Sequence, residues 1–317
     1  MTSHVRVSRR GLLKIGAGVA ATAVLAAEPA AAAEGRFQLT APSTSLIWKK
    51  ALYDETVLQS IAFDNRNGHI YTLQVKNGAG SGAAGHLCLS KLSLTGTVLG
   101  HMYLMGFGHG VQFGVEPSGT SAYLWTETDA VSDGTSSRGT RLARFKFVNG
   151  QTLTTSSPAL TKYKPIAEAD NTTCAIDPST NRLVMRYWDG SRFRYALYSL
   201  EDLKAGSAQP LSDIAQPSGL GTFQGYAAYG NFVYILTGTA YSDANPAPGN
   251  TYVTCLDLRT GEQVQRARSV AGKSLDYREP EGMAIQLVSG APRLCLGLAS
   301  GVAGARKASI FYKTELI

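Results

Sequence analysis

The sequence predicts an all-β protein, a five-bladed β-propeller with four-stranded blades. A short segment of small and apolar residues occurs five times, at spacings of 52 to 61 residues, and strand-like sequence fills the intervals. A period of this length without a sustained helical pattern is typical of propellers. The segments are Gln59–Asp64, Val111–Glu116, Thr172–Asp177, Gln224–Tyr229 and Glu281–Gln286. They are predicted to be the inner strands, which in a propeller line the central channel.

The first repeat shows how each blade is predicted to be built. Asn65-Arg66-Asn67-Gly68 follows the first segment as a hairpin turn of the Asn-Gly type. His69–Val75 then alternates as the second strand, and Leu87–Leu94 and Val98–Met105 follow as the third and fourth strands. The same alternation predicts four strands moving outward from the channel.

The later repeats follow the same order. Predicted strands cover 122–128, 140–148 and a stretch beyond Thr152 in the second repeat, 182–188 and 192–200 in the third, 232–237, 252–258 and 263–270 in the fourth, and 285–288, 293–298 and 309–313 in the fifth. The fifth lacks a fourth strand. Ser45–Lys50 is expected to supply it, because a closed ring leaves no open edge. Helical turns are expected only at Leu200–Ala205 and Ala167–Asp170.

Residues 1–33 are predicted to be a cleaved export signal. Ser8-Arg9-Arg10-Gly11-Leu12-Leu13-Lys14 matches the twin-arginine pattern, an apolar run follows, and Ala31-Ala32-Ala33 offers a cleavage site. The apolar run is too weak to span a membrane. We therefore expect a secreted or cell-wall-associated protein, with residues 34–317 forming a single propeller domain, monomeric and without a membrane span.

The charge balance narrows the class of partner. The net charge of +7 falls to about +4 once residues 1–33 are removed. No Lys/Arg run interleaved with aromatic residues remains, which argues against nucleic acid as a partner. A mildly basic exported protein is compatible with anionic wall polymers or acidic polysaccharides.

No cofactor or metal is predicted. The four cysteines, Cys88, Cys174, Cys255 and Cys295, show no metal-ligand spacing. Buried free thiols are favoured over disulfides, because twin-arginine export carries proteins that fold in a reducing cytoplasm. Asp129–Gly134 hints at a calcium loop, but its spacing misses the EF-hand pattern.

Three segments together resemble a known family. They are Gln59–Gln74, Gly106–Glu116 and Tyr277–Met283. They are similar to the TagC-like teichoic acid biosynthesis protein C family, which shares its propeller with receptor-binding proteins of staphylococcal phages. The resemblance spans roughly residues 40–317. It implies a five-bladed propeller and recognition of a cell-wall glycopolymer, and it supplies no catalytic mechanism.

Superposing the five inner strands brings polar residues together at one rim of the channel. The candidate ligand-binding residues are Gln59, His109, Gln112, Asn171, Thr172, Gln224, Arg278, Glu279 and Glu281. Amides, hydroxyls and charged groups suit the hydroxyl and acidic groups of a sugar. The alternative for the three glutamines is structural, since polar residues at a propeller axis often bond only to water and neighbouring backbone. Gly225 and Gly282 are expected to permit close backbone approach.

Whether the protein is an enzyme stays open. No nucleophile motif is present. The candidates for chemistry are His109, Tyr277, Arg278 and Glu281, which could support a polysaccharide lyase or glycoside hydrolase acting on an acidic polysaccharide. An ion pair between Arg278 and a neighbouring carboxylate is the favoured structural explanation of that cluster. A protein scaffold that uses exposed aromatics on the blade edges is a third possibility.

Overall fold

The structure, a computed structural model, describes residues 1–2, 35–79 and 82–317 of the 317-residue chain. Apart from its first two residues, the predicted export signal lies outside the described residues. The described part from residue 35 onward is built almost entirely of strands. Its only helical elements are a single 3-10 turn at Gly82–Ala84 and one short helix, α1, at Leu200–Lys204.

The strands run in chain order as follows. β1 (Thr44–Lys50) precedes the first blade, which contains β2 (Leu58–Asp64), β3 (His69–Val75), β4 (Leu87–Ser93) and β5 (Val98–Met105). Then come β6 (Gly114–Ser118), β7 (Ser121–Thr128), β8 (Val131–Ser132), β9 (Ser137–Arg138), β10 (Arg141–Lys146), β11 (Thr152–Thr154) and β12 (Thr161–Tyr163). The third blade contains β13 (Asp170–Asp177), β14 (Arg182–Trp188), β15 (Phe193–Ser199) and β16 (Ser212–Ala215). The fourth contains β17 (Phe223–Tyr229), β18 (Phe232–Thr237), β19 (Tyr252–Asp257) and β20 (Gln263–Arg268), and the fifth contains β21 (Glu279–Val288), β22 (Ala291–Ser300) and β23 (Lys307–Lys313).

The strand pairing confirms the predicted five-bladed propeller. Four sheets have four strands and one has five, with β2, β6, β13, β17 and β21 each at one edge of a sheet. Each of these inner strands contains or overlaps one of the five repeated segments. The hairpin partners pair antiparallel, as in the β2–β3 pair where Asp64 lies opposite His69.

Two local predictions are wrong. The strand beyond Thr152 does not complete the second blade. It pairs parallel with β5 as a fifth strand of the first blade, because Leu153 is buried in the core shared by these two blades. β12 takes its place in the second blade. Residues 167–168 form a turn rather than helix, and Asp170 already begins β13. The helical turn predicted at Leu200 is confirmed as α1, capped by the Ser199 hydroxyl.

The ring closes through the N-terminal strand, as predicted. β1 pairs antiparallel with β23, with Thr44 opposite Tyr312 and Ile47 opposite Ile310. The closure extends further toward both chain ends, where backbone hydrogen bonds of 2.9 and 2.8 Å join Arg36 to Ile317. The Phe37 ring, fully buried, packs on rings of the fourth blade. The N-terminal segment therefore binds two blades.

The hydrophobic core lies between the blades. Each of five clusters of buried side chains joins one blade to the next, and together they run around the ring. Leu73 of the first blade and Phe145 of the second share one cluster, and Ile61 of the first shares another with Ile310 of the fifth. Each blade is consequently stabilised by both neighbours, and none buries its apolar faces alone.

Removing residues 1–50 is expected to unfold the ring cooperatively. A chain that begins at Ala51 lacks β1 and the Phe37 anchor and exposes the edge of β23, which favours aggregation. Size-exclusion chromatography and thermal melting will check this, with the exposed-residue variant Lys50→Ala of the full chain as control. A truncated chain that stays monodisperse and melts like the full chain would disprove closure by β1.

Candidate functional site

The inner strands meet so closely at the axis that backbone fills part of the channel. Gly282 has a φ of +73°, and a Cβ atom added there would lie 2.5 Å from the Cα atom of Ser60. A Cβ atom at Gly225 would lie 2.8 Å from the Cα atom of Gly282. Only glycine fits such contacts at these backbone angles. The predicted close approach is confirmed, and at this level the channel has no room for a ligand.

Gln112 joins three blades by its side-chain amide. Its Nε2 donates to the carbonyl oxygens of Met283 (3.0 Å) and Phe113 (3.2 Å), and its Oε1 accepts from the backbone N–H of Tyr226 at 3.1 Å. The side chain is 1% exposed. Gln112 therefore bonds the second blade to the fourth and fifth, which is the structural alternative foreseen for the axial glutamines.

The other predicted inner-strand residues also bond mainly to backbone. Gln224 Nε2 donates to the Gly238 carbonyl at 3.0 Å, and Gln59 Nε2 reaches the adjacent Leu58 carbonyl at 3.4 Å. The Thr172 hydroxyl is shared between two carbonyls of the second blade, each at 3.2 Å. All three residues are buried. Their polar groups hold the inner strands in place.

Arg278 is fully buried and satisfied by neutral groups. Its Nε donates to the Ala271 carbonyl at 2.8 Å, and its two terminal nitrogens reach Thr251 Oγ1 at 2.8 Å and the Ser269 carbonyl at 3.0 Å. The expected ion pair with a neighbouring carboxylate is wrong, since none of the ion pairs of the described residues includes Arg278. Burial lowers the pKa of Arg278. Its hydrogen bonds hold together the loop that connects the fourth and fifth blades.

Glu279, which is half-buried, and Glu281, which is buried, form a pair of interacting carboxyl groups. Glu281 is 3% exposed, and burial, the charge of Glu279 and a hydrogen bond to it raise its pKa well above the ordinary value. Tyr277 Oη donates to Glu279 Oε2 at 2.6 Å, and burial, followed by this contact, raises the pKa of Tyr277. A raised pKa favours the proton-bearing form of each group, and that form cannot accept a proton from a ligand.

His109 lies in the loop between the first and second blades. The buried Glu127 carboxylate holds this loop, accepting backbone N–H bonds from His109 (3.0 Å), Gly110 (2.7 Å) and Gly139 (2.5 Å). The Ser136 hydroxyl lies 2.9 Å from His109 Nδ1 and accepts a bond from Arg138 at 2.6 Å. Burial and the Arg138 charge lower the pKa of His109 to about 4. The imidazole is consequently neutral near pH 7, and none of its described contacts reaches the Tyr277–Glu281 cluster.

A cleft opens at the end of the channel where the inner strands of the second, third and fourth blades begin. We call it the mouth cleft. It encloses about 260 Å³ and is lined by Val111, Arg138, Asn171, Thr173, Arg186, Phe193, Thr222 and Phe223. No acidic side chain belongs to this lining. Asn171 is the one predicted site residue that lines the cleft, and it adopts a left-handed backbone with a φ of 48°. His109 borders the cleft through Ser136 and Arg138.

Arg186 places a guanidinium group between two aromatic rings in the lining of the mouth cleft. Its guanidinium carbon lies 3.5 Å from the ring centre of Phe193 and 3.7 Å from that of Phe223, and Nε donates to Gln216 Oε1 at 2.9 Å. Two aromatic faces fix a planar cation in this way. Burial lowers the pKa of Arg186, yet an arginine stays charged at neutral pH.

The two arginines of the mouth cleft are hydrogen-bonded within the protein but carry charges that are not locally balanced. Among the described residues, neither Arg138 nor Arg186 forms an ion pair, although Glu127 and Asp133 act on Arg138 at longer range. The buried Thr173 hydroxyl has no hydrogen-bond partner in the protein. Two cations that line one cleft can bind an anionic ligand, whereas the Thr173 hydroxyl is covered by protein.

Sequence reasoning missed the arginines and phenylalanines of the mouth cleft. Arg186 interrupts the buried, apolar interior of β14, and a cation in that context is a signal that could have found it. Arg138 belongs to the β8–β9 ribbon, which has no counterpart in the repeat pattern.

No metal site or membrane-spanning helix appears in the described residues. They contain no group of three or more His, Cys, Asp or Glu side chains that could hold a metal ion. The four cysteines are buried and free. Within the same residues, no helix has the length and apolar character to cross a membrane.

The fold and the mouth cleft together define a five-bladed β-propeller with a cationic, aromatic-flanked opening at one end of its channel. Residues 57–312 match the family described as "Phage 5-bladed beta propeller receptor binding platform domain". The chain belongs to this family.

Two relatives extend the comparison. The chain is 29% identical over 287 residues to a Bacillus subtilis (strain 168) protein named "Putative major teichoic acid biosynthesis protein C". The match covers 87% of this chain and 63% of that protein, so the chain spans less than two thirds of its relative. The tail fiber of Staphylococcus aureus phage P68 superposes with a TM-score of 0.70 at 19% identity, over 86% of this chain and 53% of that one. The resemblance predicted from the sequence is confirmed.

Replacing Gln112 with Met is expected to lower the free energy of unfolding by about 1–3 kcal/mol, because the Tyr226 N–H and the Met283 carbonyl lose their buried partner. The matched control is Gln59→Met, whose amide makes one long bond to the adjacent residue. Urea denaturation of both variants will test this. An equal loss in both would contradict the bonding of three blades by Gln112.

Glu281 is expected to make the fold less stable as the pH rises. Because its pKa in the folded protein lies above the ordinary value of 4.5, the folded state retains a proton that the unfolded chain releases. This contribution is fully present below pH 4.5 and is lost as the pH rises toward the folded-state pKa. Glu281→Gln should flatten that dependence, measured as denaturation midpoints between pH 4 and pH 8. An unchanged slope in the variant would show that Glu281 is ionised in the folded protein.

Proposed function

We propose that this protein binds an anionic cell-wall or extracellular glycopolymer, of the teichoic acid type, at the mouth cleft and without chemistry. The observation that carries the proposal is the composition of that cleft. Arg138 and Arg186 line it, and no carboxylate lies among the lining residues. A site of this kind favours a ligand that brings negative charge, and the Asn171 amide in the same lining can bond a hydroxyl group.

The size of the cleft indicates how a polymer would be held. At about 260 Å³ it is smaller than the roughly 300–1,000 Å³ of pockets that enclose drug-sized molecules. It suits one charged unit of a longer chain. The adjoining surface of the propeller would carry the remaining units.

The names of the relatives agree with this proposal. The family is described as a receptor-binding platform of phages, and the Bacillus subtilis relative is named for teichoic acid biosynthesis. Each name describes the family or the relative that bears it. Export by the twin-arginine route, with the propeller acting as a monomer outside the membrane, is part of the same proposal, since a wall polymer is met there.

The enzymatic alternative finds less support. Neither Glu281 nor Arg278 lines the mouth cleft, and the Arg278 guanidinium is bonded within the protein. His109 is half-buried, and with a pKa near 4 it is a weak base. We therefore propose binding, and a lyase or hydrolase assay with polygalacturonate serves as a control for the binding experiments.

Arg138→Gln is expected to weaken polymer binding about tenfold, since a lost hydrogen bond to a charged group costs about 1.5–3 kcal/mol. The matched control is Arg192→Gln, which removes the same charge from an exposed hairpin turn of the third blade. Isothermal titration calorimetry with a poly(glycerol phosphate) teichoic acid and with polygalacturonate will measure this, and neutral dextran should not bind.

Binding at the mouth cleft should weaken with added salt, because attraction between a partly exposed cation and a polyanion is screened. Equal losses in Arg138→Gln and Arg192→Gln would show a general charge effect and exclude the cleft as the site. The absence of binding to both anionic polymers in the unmodified protein would contradict the proposed function itself.

A further inference from the structure

A second groove lies at the outer edge of the fourth and fifth blades, and we call it the Trp48 groove. It encloses about 560 Å³ and is lined by Leu39, Thr40, Ala41, Pro42, Ser43, Trp48, Arg268, Val270, Ala271, Gly272, Lys273, Ser274, Phe311 and Lys313. The N-terminal segment forms one wall, and the connection from β20 to β21 forms the other. None of these residues lines the mouth cleft, so the two sites are separate.

The Trp48 groove has an apolar floor and an exposed indole. Leu39, Ala271 and Phe311 are buried at its base. Trp48 is 43% exposed, and its ring meets Phe311 edge-on at 6.0 Å between ring centres. A large aromatic ring held by its neighbour but left open to solvent is costly to expose, and it offers a flat surface to the C–H face of a sugar.

The charges of the Trp48 groove are all positive. Arg268, Lys273 and Lys313 line it, no acidic residue does, and none of the ion pairs among the described residues includes these three. Lys313 is only 5% exposed, and its ammonium donates to the Ala41 carbonyl. An ammonium group has three donors, so a single carbonyl leaves it under-satisfied. A buried cation without a counter-charge is unfavourable, and an anion in the groove would compensate it.

We propose that the Trp48 groove is a second binding site, which takes an anionic saccharide unit, either a uronate or a sugar phosphate. The sugar face stacks on Trp48, and its acidic group lies toward Lys273 and Lys313. Where the ligand is the repeating glycopolymer of the proposed function, this inference rests on that function. One polymer chain could then occupy the mouth cleft and the Trp48 groove together, which raises the overall affinity without any new contact.

Tryptophan fluorescence tests the second site directly. The chain has three tryptophans, of which Trp125 is fully buried and Trp188 is half-buried, so Trp48 is the one most exposed to water. The probes are trigalacturonate and glucose 1-phosphate, with maltotriose as the neutral control. We expect a saturable blue shift of the emission with one or both anionic probes. The shift should be lost in Trp48→Phe and retained in Arg138→Gln.

Lys273→Gln supplies a second variant, because Lys273 is exposed and its loss leaves the fold intact. It should weaken the anionic probes about tenfold and leave any maltotriose response unchanged. Thermal melting of each variant checks that the propeller is folded.

The outcomes separate the two proposals. A blue shift that persists in Trp48→Phe, or one that Arg138→Gln abolishes, would overturn the second site. So would equal responses to maltotriose and to the anionic probes. If the emission never changes while polymer binding still depends on Arg138, the Trp48 groove is not a site and the proposed function stands. If the shift is present and Arg138→Gln binds the polymer normally, the second site stands and the mouth cleft fails.

Discussion

The five inner strands share one axis, and the space at that axis constrains the rest of the molecule. Gly282 and Gly225 bring backbone into contact where any side chain would collide, and the Gln112 amide bonds three blades there. This packing makes the centre a structural element rather than an open pore. Polar residues of the inner strands are bonded to neighbouring carbonyls, so the cleft lies at the end of the channel, where the inner strands begin.

The closed ring adds a second constraint, because each blade depends on both neighbours for its buried surface. Because every hydrophobic cluster lies between two blades, each blade presents apolar surface that only its neighbours cover. The contacts that close the ring therefore stabilise more than the single strand that makes them. β1 completes the last blade, and Phe37 reaches into the fourth, so the N-terminal segment secures the one junction that chain connectivity does not. The Trp48 groove lies at this junction, and the segments that meet there form its walls.

Two buried arginines show how surroundings assign different roles to one residue type. Arg278 is enclosed by the Ala271 and Ser269 carbonyls and the Thr251 hydroxyl, which satisfy its guanidinium within the protein. Arg186 is held instead between two phenylalanine rings, which fix its plane but supply no counter-charge, and it lines a cleft. The first arrangement stabilises a loop. The second leaves a cation without an ion-pair partner among the described residues at the wall of a cleft.

The sequence alone determined the blade count, the inner strands and the closing strand, because hairpin turns and strand alternation are local properties that repeat at a regular spacing. It also placed Asn171 and His109 near the channel mouth. Which polar residues are free for a ligand was decided only by tertiary structure. Glu281 is buried beside an irregular register between Pro280 and Met283, and the mouth cleft combines Arg138, Arg186 and Phe223 from three blades. Residues so distant in the chain meet only when the ring closes, so no local pattern could predict their contact.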